Sequence, residues 1–224
     1  MYWPDNFFTG CTNFDCISEY KKQRLACAVI TINEITIVRD GRELIYDYSE
    51  QIPAGSITVI TGPNGCGKST LLAAIAGDFP PDKGTITIDG IHPILTSAHD
   101  LSKIRAVAKQ NQLYSLGFSV REVIEMGGKP DEIIRLLGLE HLANRLVTTL
   151  SVGEAQRVSI AQAIAQKTPV LILDEPFAAQ DNENRGRVVT VLQQLAREGV
   201  TVVVVAHSSE QELTWADKVI KQFL

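Results

Sequence analysis

The sequence predicts an α/β fold built on a parallel β-sheet with helices on both faces. Three observations predict it. Short apolar runs alternate with helical stretches along most of the chain, the pattern of strands buried on both sides by crossover helices. A glycine-rich segment, residues 62–70, lies between an apolar strand and an apolar helix. Two carboxylates, Asp174 and Glu175, follow directly on the apolar run Val170-Leu171-Ile172-Leu173, at the strand end where open α/β sheets present ligand-binding groups.

The elements follow in order. Residues 1–27 mix aromatic and polar residues without a period and read as a poorly ordered tail. The folded domain is 28–224. Residues 29–38 form a strand, with Ile30, Ile32, Ile35 and Ile37 apolar, and Asp40-Gly41 makes a turn after it. Residues 56–61 are a short strand, 69–76 a helix stopped by Gly77, and 85–88 and 105–108 further strands. Residues 119–144 have helical character, interrupted by Gly127-Gly128 and restarted by Pro130. They place an inserted helical subdomain at about 112–150. A long helix over 152–166, an apolar strand over 169–173 and an amphipathic helix over 182–197 follow, the last with Val188, Val191, Leu192 and Leu195 at helical spacing. Residues 200–206 and 219–224 complete the strands.

Composition narrows the function. The net charge is −5, and the lysines and arginines are scattered rather than gathered in a stripe, so no nucleic-acid partner is expected. No run reaches the roughly 20 apolar residues of a membrane span. The first residues, Met-Tyr-Trp-Pro-Asp, lack the basic and apolar blocks of a secretory signal, so a cytoplasmic chain with reduced thiols is expected. Cys11, Cys16 and Cys27 find no matching ligand pairs among His92, His99, His141 and His207, so no zinc site is expected.

Gly62-Pro63-Asn64-Gly65-Cys66-Gly67-Lys68-Ser69-Thr70 matches the phosphate-loop pattern in its strand–loop–helix context. Glycines let backbone N–H groups surround phosphate, and the helix N-terminus adds partial positive charge. Lys68 is expected to neutralise β- and γ-phosphates and Ser69 to ligate Mg2+. Asp174 is expected to hold the Mg2+ through water, and Glu175 to polarise the attacking water. Cys66 lies inside the loop, so alkylation there is expected to block nucleotide binding.

A third segment, Leu150-Ser151-Val152-Gly153-Glu154 followed by Ala155-Gln156-Arg157-Val158, resembles the signature of the ATP-binding cassette (ABC) family, whose usual form is Leu-Ser-Gly-Gly-Gln. The resemblance covers about residues 29–224. It implies a P-loop NTPase (RecA-like) core that binds and hydrolyses ATP with Mg2+. By the same resemblance Gln110 is the glutamine that senses Mg2+ and the membrane partner, with Gln112 a nearby competitor. Asp181 is the D-loop aspartate and His207 the switch histidine that contacts the γ-phosphate. The family's mechanism implies a head-to-tail pair, homodimer or heterodimer, in which Ser151, Val152, Gly153 and Glu154 touch ATP bound by the opposite subunit. It also implies a transmembrane permease as partner and a peripheral place on the inner face of the cell membrane. Val152 and Glu154 depart from the usual signature, and Phe177 and Gln180 from the commonest D-loop. Arg39 stands where many members stack an aromatic ring on adenine, and a guanidinium plane can stack there too.

The segment Phe118-Ser119-Val120-Arg121-Glu122-Val123-Ile124-Glu125-Met126-Gly127 is similar to that of ATPases serving metal, siderophore and cobalamin importers, while haem-type exporters are comparable around Arg39. The chief alternative is a soluble cassette ATPase of an iron–sulfur assembly scaffold, which shares every motif. Residues 112–150 are too short for the coiled coil of a DNA-repair cassette, and a P-loop kinase leaves the signature and His207 unexplained.

Overall fold

The computed structural model describes residues 28–110, 117–207 and 212–221. The expected tail, residue Gln112 and residues 222–224 of the last expected strand lie outside them. Eight strands are present among the described residues: β1 (Ile30–Arg39), β2 (Arg42–Ile52), β3 (Ile57–Thr61), β4 (Lys83–Ile88), β5 (Arg105–Ala108), β6 (Val170–Asp174), β7 (Thr201–Val205) and β8 (Lys218–Lys221). The helices are α1 (Lys68–Ala76), α2 (Ala98–Ile104), α3 (Val120–Glu125), α4 (Pro130–Leu136), α5 (Val152–Ala165) and α6 (Asn182–Arg197).

The expected parallel sheet is there, in the order β5-β6-β7-β3-β8. A second sheet was not expected: β2, β1 and β4 pair antiparallel in that order. Its edge strand β2 escapes periodicity because only Ile45 and Ile52 along it are buried, while Arg42, Glu43, Tyr46 and Asp47 face water. Helix α2 was hidden in the same way, with Leu101 as its one buried residue.

Side chains alternate across the parallel sheet. Val59, Leu171, Leu173, Val202 and Val204 pack with α3, α4, α5 and α6. Ile60, Ile172, Val203 and Val205 pack with Leu71, Leu72 and Ile75 of α1 and with the isoleucines of β1 and β4. One face of the sheet is therefore covered by α1 and the antiparallel sheet together, not by helices alone. Each such fully buried Ile contributes about 1.5–3 kcal/mol relative to exposure.

The stretch of helical character forms α3 and α4, divided at Gly127-Gly128 as expected, and continues as short 3-10 turns at Glu140–Leu142 and Val147–Thr149. Gly127 and Gly128 stop α3 where a Cβ would meet the carbonyls of Gln162 and Ala165 on α5 at 2.3 Å. Ser119 and Glu122 start α3 with a reciprocal capping box.

Candidate active site

Parallel strands bring their C-terminal ends to one edge, and the placement of the candidate residues follows from that. Thr61 ends β3 and leads into the phosphate loop; Gln110 lies two residues beyond β5; Asp174 ends β6; His207 lies two residues beyond β7. Because β6 and β7 are neighbours, with Asp174 in register with Val205, Glu175 and His207 emerge side by side. A cleft of about 690 Å³ opens at this edge, lined by Asn64, Gly65, Gly67, Lys68, Ser69 and Thr70 together with Gln110, Glu175 and His207. Leu44 of β2 also lines it, a residue that sequence reading missed along with its strand.

The loop wraps Lys68. Its Nζ donates to the carbonyls of Gly62 at 2.9 Å and Pro63 at 2.7 Å, and only 5% of the residue is exposed. Gly65 and Gly67 take left-handed φ angles of 77° and 96°, which lets the loop turn sharply into α1. Cys66 carries a free, half-buried thiol. Ser69 Oγ lies 3.2 Å from Asp174 Oδ1. Burial, the largest cause, raises the pKa of Asp174, with the charge of Glu175 adding to it; Ser69, Lys68 and His207 pull the other way.

Glu175 sits at φ 49°, a left-handed conformation that non-glycine residues adopt at some cost and that often marks functional sites. One carboxylate oxygen lies 2.8 Å from His207 Nε2, and the other accepts from Gln110 Nε2. Gln110, Glu175 and His207 thus form one chain, built from three strand ends.

The signature residues form a second locus. Ser151 is the N-cap of α5 and shares a capping box with Glu154. Beside them is a cavity of about 200 Å³ lined also by Gly153, Arg157, Gln180 and Asp181. A Cβ on Gly153 would meet the Ala179 carbonyl oxygen at 2.3 Å, so the start of α5 lies directly on the D-loop backbone. Val152 is 66% exposed. Asp181 caps α6, its side chain accepting from Asn184 N–H at 2.8 Å. The two residues that depart from the commonest D-loop make contacts of their own: Phe177 meets Trp215 edge-to-face with centroids 5.5 Å apart, and Gln180 Nε2 donates to Pro176 O at 2.6 Å, its buried Oε1 being without a partner among the described residues.

Arg39 does not join the lining of the cleft. Its guanidinium lies over the Phe79 ring at 3.9 Å, donates to Val38 O and stands 4.0 Å from Asp82. Phe79 thus covers one face of the plane that was expected to stack on adenine, while Val38 O and Asp82 engage its Nη1. Arg157, quoted in the signature without a role, is a buried cation bonded to Asn184.

Comparisons with known proteins give the family. The family model described as ABC transporter matches residues 45–178. Over 194 residues the chain is 40% identical to the hemin import ATP-binding protein HmuV of Nocardia farcinica, spanning 80% of this chain and 67% of that protein. It is 34% identical over 200 residues to the protein of the same name from Rhodococcus jostii, spanning 83% and 68%. Among solved structures, the dimeric bacterial ABC transporter cassette MJ0796 superposes with a TM-score of 0.74 at 25% identity, over 86% of this chain and 94% of that one. No helix among the described residues is long and apolar enough to cross a membrane. With its phosphate loop, paired carboxylates and signature gathered on this fold, the chain belongs to the ABC transporter family, as an ATP-hydrolysing ATP-binding subunit.

Proposed function

We propose that this subunit drives import of a haem-like metal chelate through a separate membrane permease, working as one half of a head-to-tail pair of cassettes. The reading of the site rests on one observation: Lys68, Ser69, Gln110, Glu175 and His207 line a single cleft. The cargo rests on the import proteins named above, the first of them 40% identical. Those relatives are import subunits, and no observation favours the assembly-scaffold alternative.

The geometry supports the following roles. Backbone N–H groups of residues 62–70 and the N-terminus of α1 surround the phosphates. Lys68 exchanges its bonds to Gly62 and Pro63 for phosphate oxygens. Ser69 and Asp174 offer hard oxygen donors 3.2 Å apart, a set that suits Mg2+; when bound, that ion neutralises charge on the phosphates. Glu175 orients and polarises the attacking water as general base. His207 and Gln110 fix the Glu175 carboxylate between them until the γ-phosphate and its water enter. Ser151 and Gly153, at the N-terminus of α5, then meet the nucleotide held by the second cassette. The subunit works in the cytoplasm, peripheral to the membrane that holds the permease.

The test is co-purification from gently solubilised cells with Mg-ATP, using tagged Glu175→Gln protein. A polytopic membrane protein is expected to accompany it. Capture of soluble partners alone overturns the transport reading.

A further inference from the structure

Glu154 puts a carboxylate where the usual signature has an amide. Its Oε2 accepts from the Ser151 N–H and from the Ser151 hydroxyl, each at 2.8 Å, while Ser151 Oγ accepts from Glu154 N–H at 3.3 Å. The backbone bond from Ser151 is the largest cause holding the carboxyl below its usual range, and Arg145 and Arg157 add to it. The turn that would receive the partner's γ-phosphate therefore carries a negative charge of its own, and like charges so placed repel.

Two arginines answer that charge. Arg157 comes from within α5 and is bonded to Asn184. Arg145 comes from the helical stretch: Nη1 lies 3.8 Å from Glu154 Oε1, and Nη2 donates to Thr149 O at 3.0 Å. The backbone around Arg145 is fastened to the start of α3. Val120 N–H donates to Arg145 O, Arg121 N–H to Ala143 O and Val147 N–H to Phe118 O, each at 2.9 Å. Backbone bonds and one ion pair of 3.8 Å thus link residues 118–121 to Glu154 and Ser151.

We propose that Arg145 is a positioning residue for the trans nucleotide: it offsets the Glu154 carboxylate so that the signature turn accepts a partner-bound triphosphate, and it ties that turn to the 118–121 segment. This rests on the reading that Ser151 meets ATP across a cassette pair. Arg145 touches no reacting atom; its charge acts through Glu154 and matters only while the carboxylate is there, whereas its bond to Thr149 O is the same in either background.

A double-mutant cycle on the full chain tests this. Arg145→Ala is introduced alone and together with Glu154→Gln, and KM and kcat for Mg-ATP are measured for all four proteins. Arg145→Ala is expected to raise KM about three- to tenfold in the native background, with kcat less affected, and less than about twofold in the Glu154→Gln background. Titration of the Glu154 carboxyl by NMR is expected to show its midpoint moved upward by Arg145→Ala. Equal effects of Arg145→Ala in both backgrounds, or an unmoved midpoint, overturn the proposal. If the native protein hydrolyses no ATP, the functional reading fails instead, and the carboxyl titration still decides whether Arg145 holds Glu154.

Discussion

Glu175 and His207 stand 2.8 Å apart, carboxylate oxygen to Nε2, because β6 and β7 are adjacent parallel strands ending at the same level. The contact makes His207 a positioning partner of the proposed general base. His207→Ala is expected to lower kcat for ATP about 10²-fold or more, while nucleotide binding at the phosphate loop changes little. Parallel measurement of turnover and equilibrium ATP binding checks this. A matched loss in both would mean that His207 supports the loop rather than the base.

Gly153 is required by contact rather than by φ. The Ala179 carbonyl oxygen lies 2.3 Å from where its Cβ would stand. Gly153→Ala must push α5 from the D-loop, at a cost of about 1–3 kcal/mol. Lowered thermal stability and slowed turnover are expected together, and an unchanged melting temperature would show that the two segments separate freely.

Asp174 gives a pH signature. Burial raises its folded-state pKa, so its stabilising contribution is present below the unfolded carboxylate pKa and is lost as pH rises through the folded value. At neutral pH the ionised buried carboxylate is a cost to the nucleotide-free protein. Asp174→Asn is expected to melt at a higher temperature than the native chain at pH 7, with the difference shrinking toward about pH 4. Melting curves at both pH values check it, and a Mg-ATP titration should show the variant binding nucleotide more weakly.

Cys66 is a half-buried free thiol within the phosphate loop. Cys66 does not itself line the cleft, but maleimide modification there is expected to abolish ATP binding, because the adduct adds bulk to a loop whose backbone must close around phosphate. Normal nucleotide affinity in protein shown by mass spectrometry to carry the adduct would count against the loop's assigned role.

The site was legible because its motifs are local in sequence and sit at strand ends. Four apolar residues before Asp174, and an apolar run before His207, fix where those side chains emerge once the strands are parallel. What stayed hidden depends on contacts between distant segments. Strand β2 is exposed along most of its length, so it shows no clean alternation, and Leu44 was lost with it. Arg39 sits at the expected place in sequence, yet Phe79, about forty residues on, takes its guanidinium; no local pattern announces such a stack. Arg145 gains its neighbour Glu154 across the 3-10 turn at Val147–Thr149 that separates it from α5, a turn that sequence periodicity does not show.

The most direct test of the account is ATP hydrolysis and ATP-driven association of the Glu175→Gln chain beside the native one. The account predicts that the variant binds Mg-ATP, turns it over at least about 10²-fold more slowly and accumulates as a dimer in sedimentation while ATP is present. Native-like turnover by Glu175→Gln, with no ATP-dependent dimer, would contradict it.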